Sequence, residues 1–254
     1  MSKDHVVVQG EHFAAIAAAA GHRDFRIPWA LSENQATRSL RKTPHILLPG
    51  DKVSVNDATA KEDSAPSEKR TRFKTKGVPL KLRVEIRTEL DKPAQGVECT
   101  LTVEGQGESK VLDSKGRVER IIPFTSKSGR IIVRDAELAL DLDVDIEIGG
   151  LHPLDVESGQ MQRLNNLGYE AGEVVPVKAG APPSGSAAAS PPSVADQSPP
   201  SDSDAEPEIT LGVSARAKLR FRSAVEEFQL DHGLKVDGIL GAGTKAKLKD
   251  VHGC

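Results

Sequence analysis

A stretch near the end of the sequence, LKVDGILGAGTKAKL at 234–248, combines a D-G pair, several glycines and a lysine beside a threonine. Three interpretations compete: a phosphate-binding loop, a hairpin without a ligand, and one half of a small binding module. A phosphate loop needs the order G-x-x-x-x-G-K-[ST] between a buried strand and a helix. Here the residues run in the order Gly238, Gly241, Gly243, Thr244 and Lys245. Threonine precedes lysine and no apolar strand comes first, so a phosphate loop is disfavoured.

The last residues, V-H-G-C, place the imidazole of His252 two positions before the thiol of Cys254. The H-G-C triplet resembles the nucleophile motif of L,D-transpeptidases, which lies within S-x-G-C-x-R and works with a second histidine upstream. Neither the following arginine nor a supporting element is present here, and a chain terminus frays. A frayed terminus would not keep a nucleophile and its base within hydrogen-bond distance. We therefore predict no catalytic residue and a protein that is not an enzyme.

Two patterns bear on metal binding. DLDVDIE at 141–147 resembles the start of a calcium loop, but the glycine required at the sixth position is missing. An alternating strand explains it better, with one carboxylate face paired to basic side chains such as Lys81, Arg83 and Arg87 on another strand. The seven histidines show neither H-E-x-x-H nor a zinc spacing. We predict neither a metal site nor a cofactor.

Composition and charge exclude several classes of protein. The chain has 34 basic and 37 acidic residues and a net charge of −3, without the basic excess that nucleic-acid binding requires. No apolar run approaches the roughly 20 residues of a membrane span, and the first residues lack the apolar segment of a signal peptide. Two cysteines allow at most one disulfide. We expect synthesis in the cytoplasm, no nucleic-acid partner and no membrane span.

Residues 1–57 predict a small domain in the order strand, helix, helix, strand. The apolar run at 5–8 indicates the first strand. The next apolar residues recur at helical spacing, at Phe13, Ile16, Ala17 and Ala20. Gly21 ends this helix, Pro28 suits the first turn of a second one, and the segment after Pro49-Gly50 supplies a strand at 52–55.

Residues 73–149 change to a two-residue period. In VPLKLRVEI and ELALDLDVDIEI every second residue is apolar, which is typical of strands with one buried face. CTLTVEG, GRVERII and RIIVRD add three strands between glycine-containing turns. We predict a small antiparallel β-sandwich, with a barrel as the alternative.

Two stretches contain too few large apolar residues to fold. We predict a linker at 58–72 and a disordered insertion rich in proline, serine and alanine at 175–207. The segments 150–174 and 208–254 on either side of the insertion predict one three-helix bundle. The chain is therefore predicted to be a multidomain α+β protein.

The bundle prediction depends on apolar residues at helical spacing. The first helix carries Met161, Leu164 and Leu167, and the second carries Phe221, Ala224, Val225 and Phe228. A last helix is predicted at about 244–251. We expect Gly238 to adopt positive φ, and Thr244 to cap the last helix. The expected core residues nearby are Leu234, Val236, Ile239 and Leu248.

QMQRLNNLGY at 160–169 and AVEEFQLDHGLKVDGILGAGTKAKL at 224–248 resemble the three-helix peptidoglycan-binding domain found beside many wall hydrolases. That family's F-Q-x-x-x-G-L-x-V-D-G-x-x-G-x-x-T-x-x-x-L run is matched almost position for position, whereas its first D-G-x-x-G-x-x-T segment is replaced by the insertion. The resemblance implies a peptidoglycan-binding groove in the bundle. Its implied residues are Tyr169, Gln229, Asp231, His232, Asp237 and Gly238.

The first domain resembles LysM, a βααβ module that binds N-acetylglucosamine glycans. VVVQGEHFAAIAAAAG corresponds to its V-x-x-G-D-T-L-x-x-I-A-x-x-x-G, Asn34 to its central asparagine, and LLPGDKVSV to its last strand. Glu-His-Phe replaces Asp-Thr-Leu. The resemblance implies a glycan between two loops, formed by Gly10, Glu11, His12, Phe13, Leu47, Leu48, Pro49 and Gly50.

The sandwich is similar to transthyretin-like and immunoglobulin-like modules, and the whole arrangement resembles proteins encoded with type VI secretion and contractile injection systems. This resemblance implies a non-catalytic peptidoglycan-binding protein, an accessory or cargo of such a system. A spike or effector protein would be a further partner, and delivery would be to the periplasm or the exterior. The alternative is a structural or adaptor protein of the machine that binds proteins through degenerate modules.

Overall fold

The computed structural model describes most of the chain. The residues it describes are 2–59, 64, 67–68, 70, 72, 78–88, 92–174 and 213–253. They form two compact units, one ending at Leu151 and the other beginning at His152. Helices and antiparallel sheets are both present, which confirms the prediction of an α+β chain. The predicted insertion 175–207 and much of the linker 58–72 lie outside the described residues, and the domain boundaries stay predictions.

The first unit begins with two antiparallel strands around short helices. These elements are β1 (Ser2–Val6), α1 (Phe13–Ala19), α2 (Arg26–Trp29), a 3₁₀ turn (Ser32–Asn34), α3 (Gln35–Arg41) and β2 (Lys52–Asn56). β1 pairs with β2, with Ser2 opposite Asn56. The strand begins before the predicted position 5–8, because backbone pairing rather than apolar content sets its position. Val7 follows the strand and is completely buried.

Helix α3 is an element that the sequence analysis does not predict. It offers little apolar surface to the core, and its Leu40 is 60% exposed. Hydrogen bonds hold it instead: Thr37 Oγ1 donates to Lys52 O at 2.7 Å, and Arg41 donates to both carboxylate oxygens of Asp51 at 2.8 and 2.9 Å. The Arg41–Asp51 pair is largely buried, so loss of either partner would leave an uncompensated charge.

The completely buried side chain of Asn34 joins the helical segment to β2. Its Nδ2 donates to Pro28 O at 2.9 Å and to Ser54 O at 2.7 Å. Its Oδ1 accepts a hydrogen bond from Ser54 N at 2.7 Å. On the side of β2 away from β1, the Asn34 side chain therefore makes the two backbone hydrogen bonds with Ser54 that a neighbouring strand would otherwise make.

Two antiparallel sheets complete the first unit. Their strands are β3 (Leu80–Glu85), β4 (Glu98–Val103), β5 (Gln106–Val111), β6 (Arg117–Ile122), β7 (Ser128–Asp135) and β8 (Leu140–Glu147). β3 pairs with β6, and the larger sheet has the order β5-β4-β7-β8. Both sheets contribute to one hydrophobic core, in which Leu101 and Val133 of the larger sheet lie with Val118 of the smaller.

Strand β5 is absent from the sequence prediction. It is an edge strand whose residues are mostly exposed, and its Val111 is 63% exposed. An edge strand with little burial has no need of alternating apolar residues, so the periodicity used to find strands does not detect it.

The alternating acidic residues of β8 form cross-strand ion pairs, as the strand interpretation requires. Arg130 donates to both carboxylate oxygens of Asp143 at 2.6 Å, and Arg134 donates to Asp141 at 3.2 Å. The expected basic partners were wrong, because β8 pairs with β7 and not with β3. The basic side chains of β3 instead contact Glu119 on β6.

The second unit contains three described helices around one core. They are α4 (Glu157–Asn166), α5 (Val213–Asp231) and α6 (Ala242–His252). Leu164, Phe228 and Leu248, one from each helix, are completely buried and pack in the same cluster. Apolar periodicity predicts α4 and α5, because each presents a buried stripe to the core. The last helix, predicted at about 244–251, is observed as α6.

Candidate functional site

The central feature of the second unit is the buried side chain of Gln229 on α5, which is 1% exposed. Its Nε2 donates to Asp237 Oδ1 at 2.9 Å, to Ile239 O at 3.0 Å and to Thr244 Oγ1 at 3.2 Å. Its Oε1 accepts from the backbone amides of Asp237 and Gly238, both at 3.0 Å. The amide is thus saturated by the chain itself, so Gln229 positions the loop between α5 and α6.

Asp237 and Gly238 form the turn that Gln229 holds. The Asp237 carboxylate also accepts from Ile239 N at 3.0 Å, and its hydrogen bonds from Gln229 and Ile239 lower the pKa of that carboxyl. Gly238 has φ of +67°, as expected from the sequence. A Cβ there would lie 2.7 Å from the side chains of Arg222 and Glu226. Both residues of the turn therefore serve its geometry first.

The expected cap at Thr244 is wrong. Helix α6 begins at Ala242 behind Gly241, and no side chain caps it. Thr244 is buried and its hydroxyl accepts from Gln229, so it connects α6 to α5.

Three large apolar side chains near the turn are exposed. Leu230 is 69%, Val236 50% and Ile239 65% exposed. The expectation that Val236 and Ile239 enter the core is wrong, because the polar backbone of the turn faces Gln229. Exposed apolar side chains mark a binding surface when they form a contiguous patch. The sequence analysis missed the exposure of Val236 and Ile239 because it assigned both to the core.

The remaining predicted groove residues come together at the end of α5. Tyr169 Oη donates to Asp231 Oδ2 at 2.9 Å, and its ring meets that of Phe228 edge-on at 5.6 Å between centroids. The ring of His232 lies 4.5 Å from that of Phe228 on a further side. Phe228 is completely buried, whereas Asp231 is exposed. We call Tyr169, Asp231 and His232 the aromatic-acid cluster.

The end of α6 contacts the end of α4. His252 is the last residue of α6, and Asn166 Nδ2 lies 3.1 Å from its Nε2. Burial, and secondarily the charge of Arg163, lowers the pKa of His252 to about 4. Cys254, the other residue of the H-G-C triplet, lies outside the described residues.

Most residues of the two predicted glycan loops in the first unit are core residues. The buried members are His12, Phe13, Leu47, Leu48 and Pro49. Gly10, Glu11 and Gly50 are partly exposed. The Glu11 carboxylate contacts His5 Nε2 at 2.7 Å and accepts from Val8 N at 3.0 Å. A glycan site in these loops stays a prediction, and its accessible surface is confined to the three partly exposed residues.

His12, only 4% exposed, caps the first helix. Its Nδ1 accepts from Ala15 N at 3.3 Å, and the proton therefore lies on Nε2. Among the described residues, Nε2 has no hydrogen-bond partner. Burial, then the nearby His45, lowers the pKa of His12 to about 4. A Cβ at Gly149, which follows β8, would lie 3.1 Å from the His12 ring. His12 thus lies where the helical part of the first unit approaches the residue Gly149, just after β8.

Within the described part of the chain, no group of three or more potential metal-ligating side chains is arranged to hold an ion. Nor does any helix there combine the length and apolar character needed to cross a bilayer.

Residues 214–248 match the family model described as "Putative peptidoglycan binding domain". The second unit thus contains a peptidoglycan-binding domain. The match includes Gln229, the turn that it holds, Asp231 and His232. Searches of curated proteins and of solved structures each found no match to the chain. The LysM resemblance and the association with type VI secretion stay predictions.

The predicted groove residues of the second unit fall into two structural groups. Gln229, Asp237 and Gly238 are occupied by hydrogen bonds and geometry within the chain. Asp231, Val236 and Ile239 are exposed, and Tyr169 is partly exposed. The predicted groove residues thus include both kinds.

Proposed function

We propose that this protein is a non-catalytic peptidoglycan-binding protein that attaches to the cell wall through its peptidoglycan-binding domain. The family match at 214–248 carries the proposal. The polar groups of the loop support a binding role, since Gln229 and Asp237 are engaged in holding the backbone rather than poised for proton transfer.

The contact surface in this proposal consists of the aromatic-acid cluster and the exposed loop residues Val236 and Ile239. Sugars and peptides present apolar faces beside polar groups, and a partly exposed ring beside a carboxylate complements both. Tyr169 is fixed by its hydrogen bond to Asp231, so little side-chain entropy would be lost on binding.

The role in a secretion system is the finer part of the proposal. The protein would be made in the cytoplasm and act as an accessory or cargo of a type VI-like machine, with a spike or effector protein as partner. It would reach the wall in the periplasm or at the exterior. This part rests on the resemblance of the domain arrangement alone.

A second candidate function is a structural or adaptor protein whose first unit binds proteins. The burial of His12, Phe13 and Leu47 favours it, because these loop residues cannot contact a glycan without leaving the core. In this candidate the head has lost its glycan site, and wall attachment would depend on the second unit.

The proposal is tested by sedimentation of the full chain with purified sacculi. We expect Ile239→Ser and Asp231→Asn to reduce the pelleted fraction, because both remove parts of the contact surface. Leu219→Ser is the matched control, since Leu219 is also exposed, at 52%, but lies in the first half of α5. Equal pelleting of Ile239→Ser, Asp231→Asn and Leu219→Ser would reject the assigned surface. A fall in sacculus turbidity with the wild type would reject the non-catalytic part.

A further inference from the structure

A second surface of the peptidoglycan-binding unit is a cleft between the segment that follows α4 and the first half of α5. Its volume is about 400 Å³. It is lined by Asn165, Glu170, Gly172, Glu173, Val174 and Arg220. All of these residues belong to the second unit. None is among the groove residues that the sequence predicts.

The wall formed by the segment at 169–174 has a fixed backbone. Asn165 Nδ2 donates to Gly172 O at 2.9 Å, and Asn165 Oδ1 accepts from Ala171 N at 2.8 Å. Ala171 is completely buried in the core of the unit. Glu170 and Glu173 flank this anchored stretch and are themselves exposed. Their carboxylates are therefore carried by a rigid support.

Three charged side chains line the cleft. In the described part of the chain, Glu170, Glu173 and Arg220 each lack a salt-bridge partner. This differs from Arg222, one half-turn along α5, which pairs with Glu226 at 2.9 Å. The two carboxylates could bind a cationic group of a ligand, and the guanidinium could bind an anionic group of the same ligand. Arg220 offers a planar donor group suited to a carboxylate.

The cleft and the aromatic-acid cluster both lie along α5, which carries Arg220 and Asp231. Tyr169 contacts Asp231 at one end of α5, and the residues that follow Tyr169 reach Arg220. Arg220 and Asp231 are eleven residues apart on α5, which corresponds to about 16 Å along the helix axis. An extended peptide of about five residues covers that length.

We propose that this cleft binds the peptide stem of peptidoglycan at a residue that carries both a free ammonium and a carboxylate. The ammonium lies between Glu170 and Glu173, and the carboxylate lies on Arg220. N-acetylated sugars carry no free ammonium, so the glycan strands alone would leave Glu170 and Glu173 without a cationic partner. The inference rests on the proposed function and specifies which part of the wall is recognised.

The test is calorimetric titration of the full chain with three soluble probes. These are a disaccharide-peptide fragment with a free amine, the same fragment with its amine acetylated, and a peptide-free glycan oligosaccharide. We expect the acetylated fragment to bind about tenfold more weakly than the free amine, because a charge-assisted contact is lost. We expect the glycan to bind more weakly than the free-amine fragment.

The variants are Arg220→Gln and the double variant Glu170→Gln/Glu173→Gln. We expect each to weaken binding of the free-amine fragment about tenfold. Arg216→Gln and Glu98→Gln are matched controls for the loss of an exposed charge, the first on the same helix. We expect both controls to bind as the wild type does. Because all of these side chains are exposed, thermal unfolding should be unchanged and serves as the check on folding.

Equal affinity for the acetylated and free-amine fragments would overturn the inference, as would equal affinity of Arg220→Gln and Arg216→Gln. Sedimentation with sacculi separates this failure from failure of the proposed function. If the wild type pellets with sacculi while the charge variants and acetylation have no effect, wall binding stands and the stem-peptide site is rejected. If the wild type does not pellet, the proposed function is rejected.

Discussion

Two buried side-chain amides hold the irregular parts of the chain. Asn34 in the first unit and Gln229 in the second are 0% and 1% exposed, and each bonds backbone groups that belong to no regular ladder. Buried polar groups are costly unless they are paired, so a saturated amide is an economical way to fix a loop. At this scale, function depends on residues that need not contact the ligand.

Gln229→Ala should lower the free energy of unfolding of the second unit by about 3 kcal/mol, because several buried groups lose their partners at once. Chemical denaturation followed by the fluorescence of Tyr169, the chain's single tyrosine, measures this change. Glu227→Ala is the control, since Glu227 is exposed on the same helix. Equal stability of the two variants would contradict the role assigned to Gln229.

His12 should make the stability of the first unit depend on pH. Its pKa is lowered from 6.5 to about 4 in the folded protein, so below pH 6.5 the unfolded chain binds a proton that the folded chain does not. Stability is therefore full above about pH 6.5 and decreases towards about pH 4. The loss at pH 5 is about 2 kcal/mol.

Trp29, the single tryptophan, packs at 4.8 Å from Phe13 and reports unfolding of this region. His12→Asn keeps an acceptor for the helix cap and removes the titration. We expect its stability to fall less between pH 7 and pH 5 than that of the wild type. His45 is present in both proteins, and the substitution removes the titration of His12 together with its coupling to His45. Identical pH profiles would contradict the assignment to His12.

At the residue scale, the sequence predicts the backbone conformation of the turn better than the burial and hydrogen bonds of its side chains. The D-G turn and its positive φ are predicted from Gly238, because few other residues adopt that conformation. The positions of Val236, Ile239 and Thr244 are not predicted, since they depend on which group of the turn faces Gln229. That choice is a property of the assembled loop and not of local pattern.

At the scale of elements, the turn before β6 shows how closely the chain approaches itself. Gly116 has φ of +71°, and a Cβ there would overlap Ile86 O and lie 2.9 Å from Ala94 N. Gly105 has a similar φ of +77° but nothing within 4 Å of its Cβ position. A comparison of substitutions at Gly105 and Gly116 therefore distinguishes the effect of backbone strain from that of steric overlap.

Gly105→Ala should cost about 1 kcal/mol of stability through the left-handed backbone alone. Gly116→Ala should cost about 3 kcal/mol, because backbone atoms must also move. Chemical denaturation followed by circular dichroism compares the two variants in the full chain. Equal losses would show that the approach of Gly116 to Ile86 and Ala94 is not limiting.

Elements with a buried stripe are predictable from this sequence, and elements without one are not. α4, α5 and α6 share a core, and apolar spacing predicts the first two of them. α3 and β5 bury little and are held by hydrogen bonds from side chains or from one neighbouring strand. Their apolar residues show no regular spacing, because both faces of these elements are largely exposed and can carry polar side chains.

At the scale of the whole molecule, the first unit does not divide simply at the predicted linker. The core of its helical head also packs against Val78 and Phe124, which belong to the predicted sandwich. Gly149 approaches Gly10 and His12 as well. Removal of residues 1–57 would therefore expose Val78 and Phe124 further, so point variants are the sounder tests of residues 1–57.

The same scale carries the central claim that the protein attaches to the cell wall through its second unit. The claim rests on the family match at 214–248. The proposed contact surface consists of Tyr169, Asp231 and the exposed loop residues. The cleft at Arg220 extends that surface along α5. A ligand that follows the strip would contact both ends.

The most direct measurement is the fraction of the full-length protein that sediments with purified sacculi over a series of protein concentrations. We expect saturable binding in the micromolar range that soluble peptidoglycan fragments reverse. Protein that remains in the supernatant at micromolar concentration, with or without the fragments, would contradict the account.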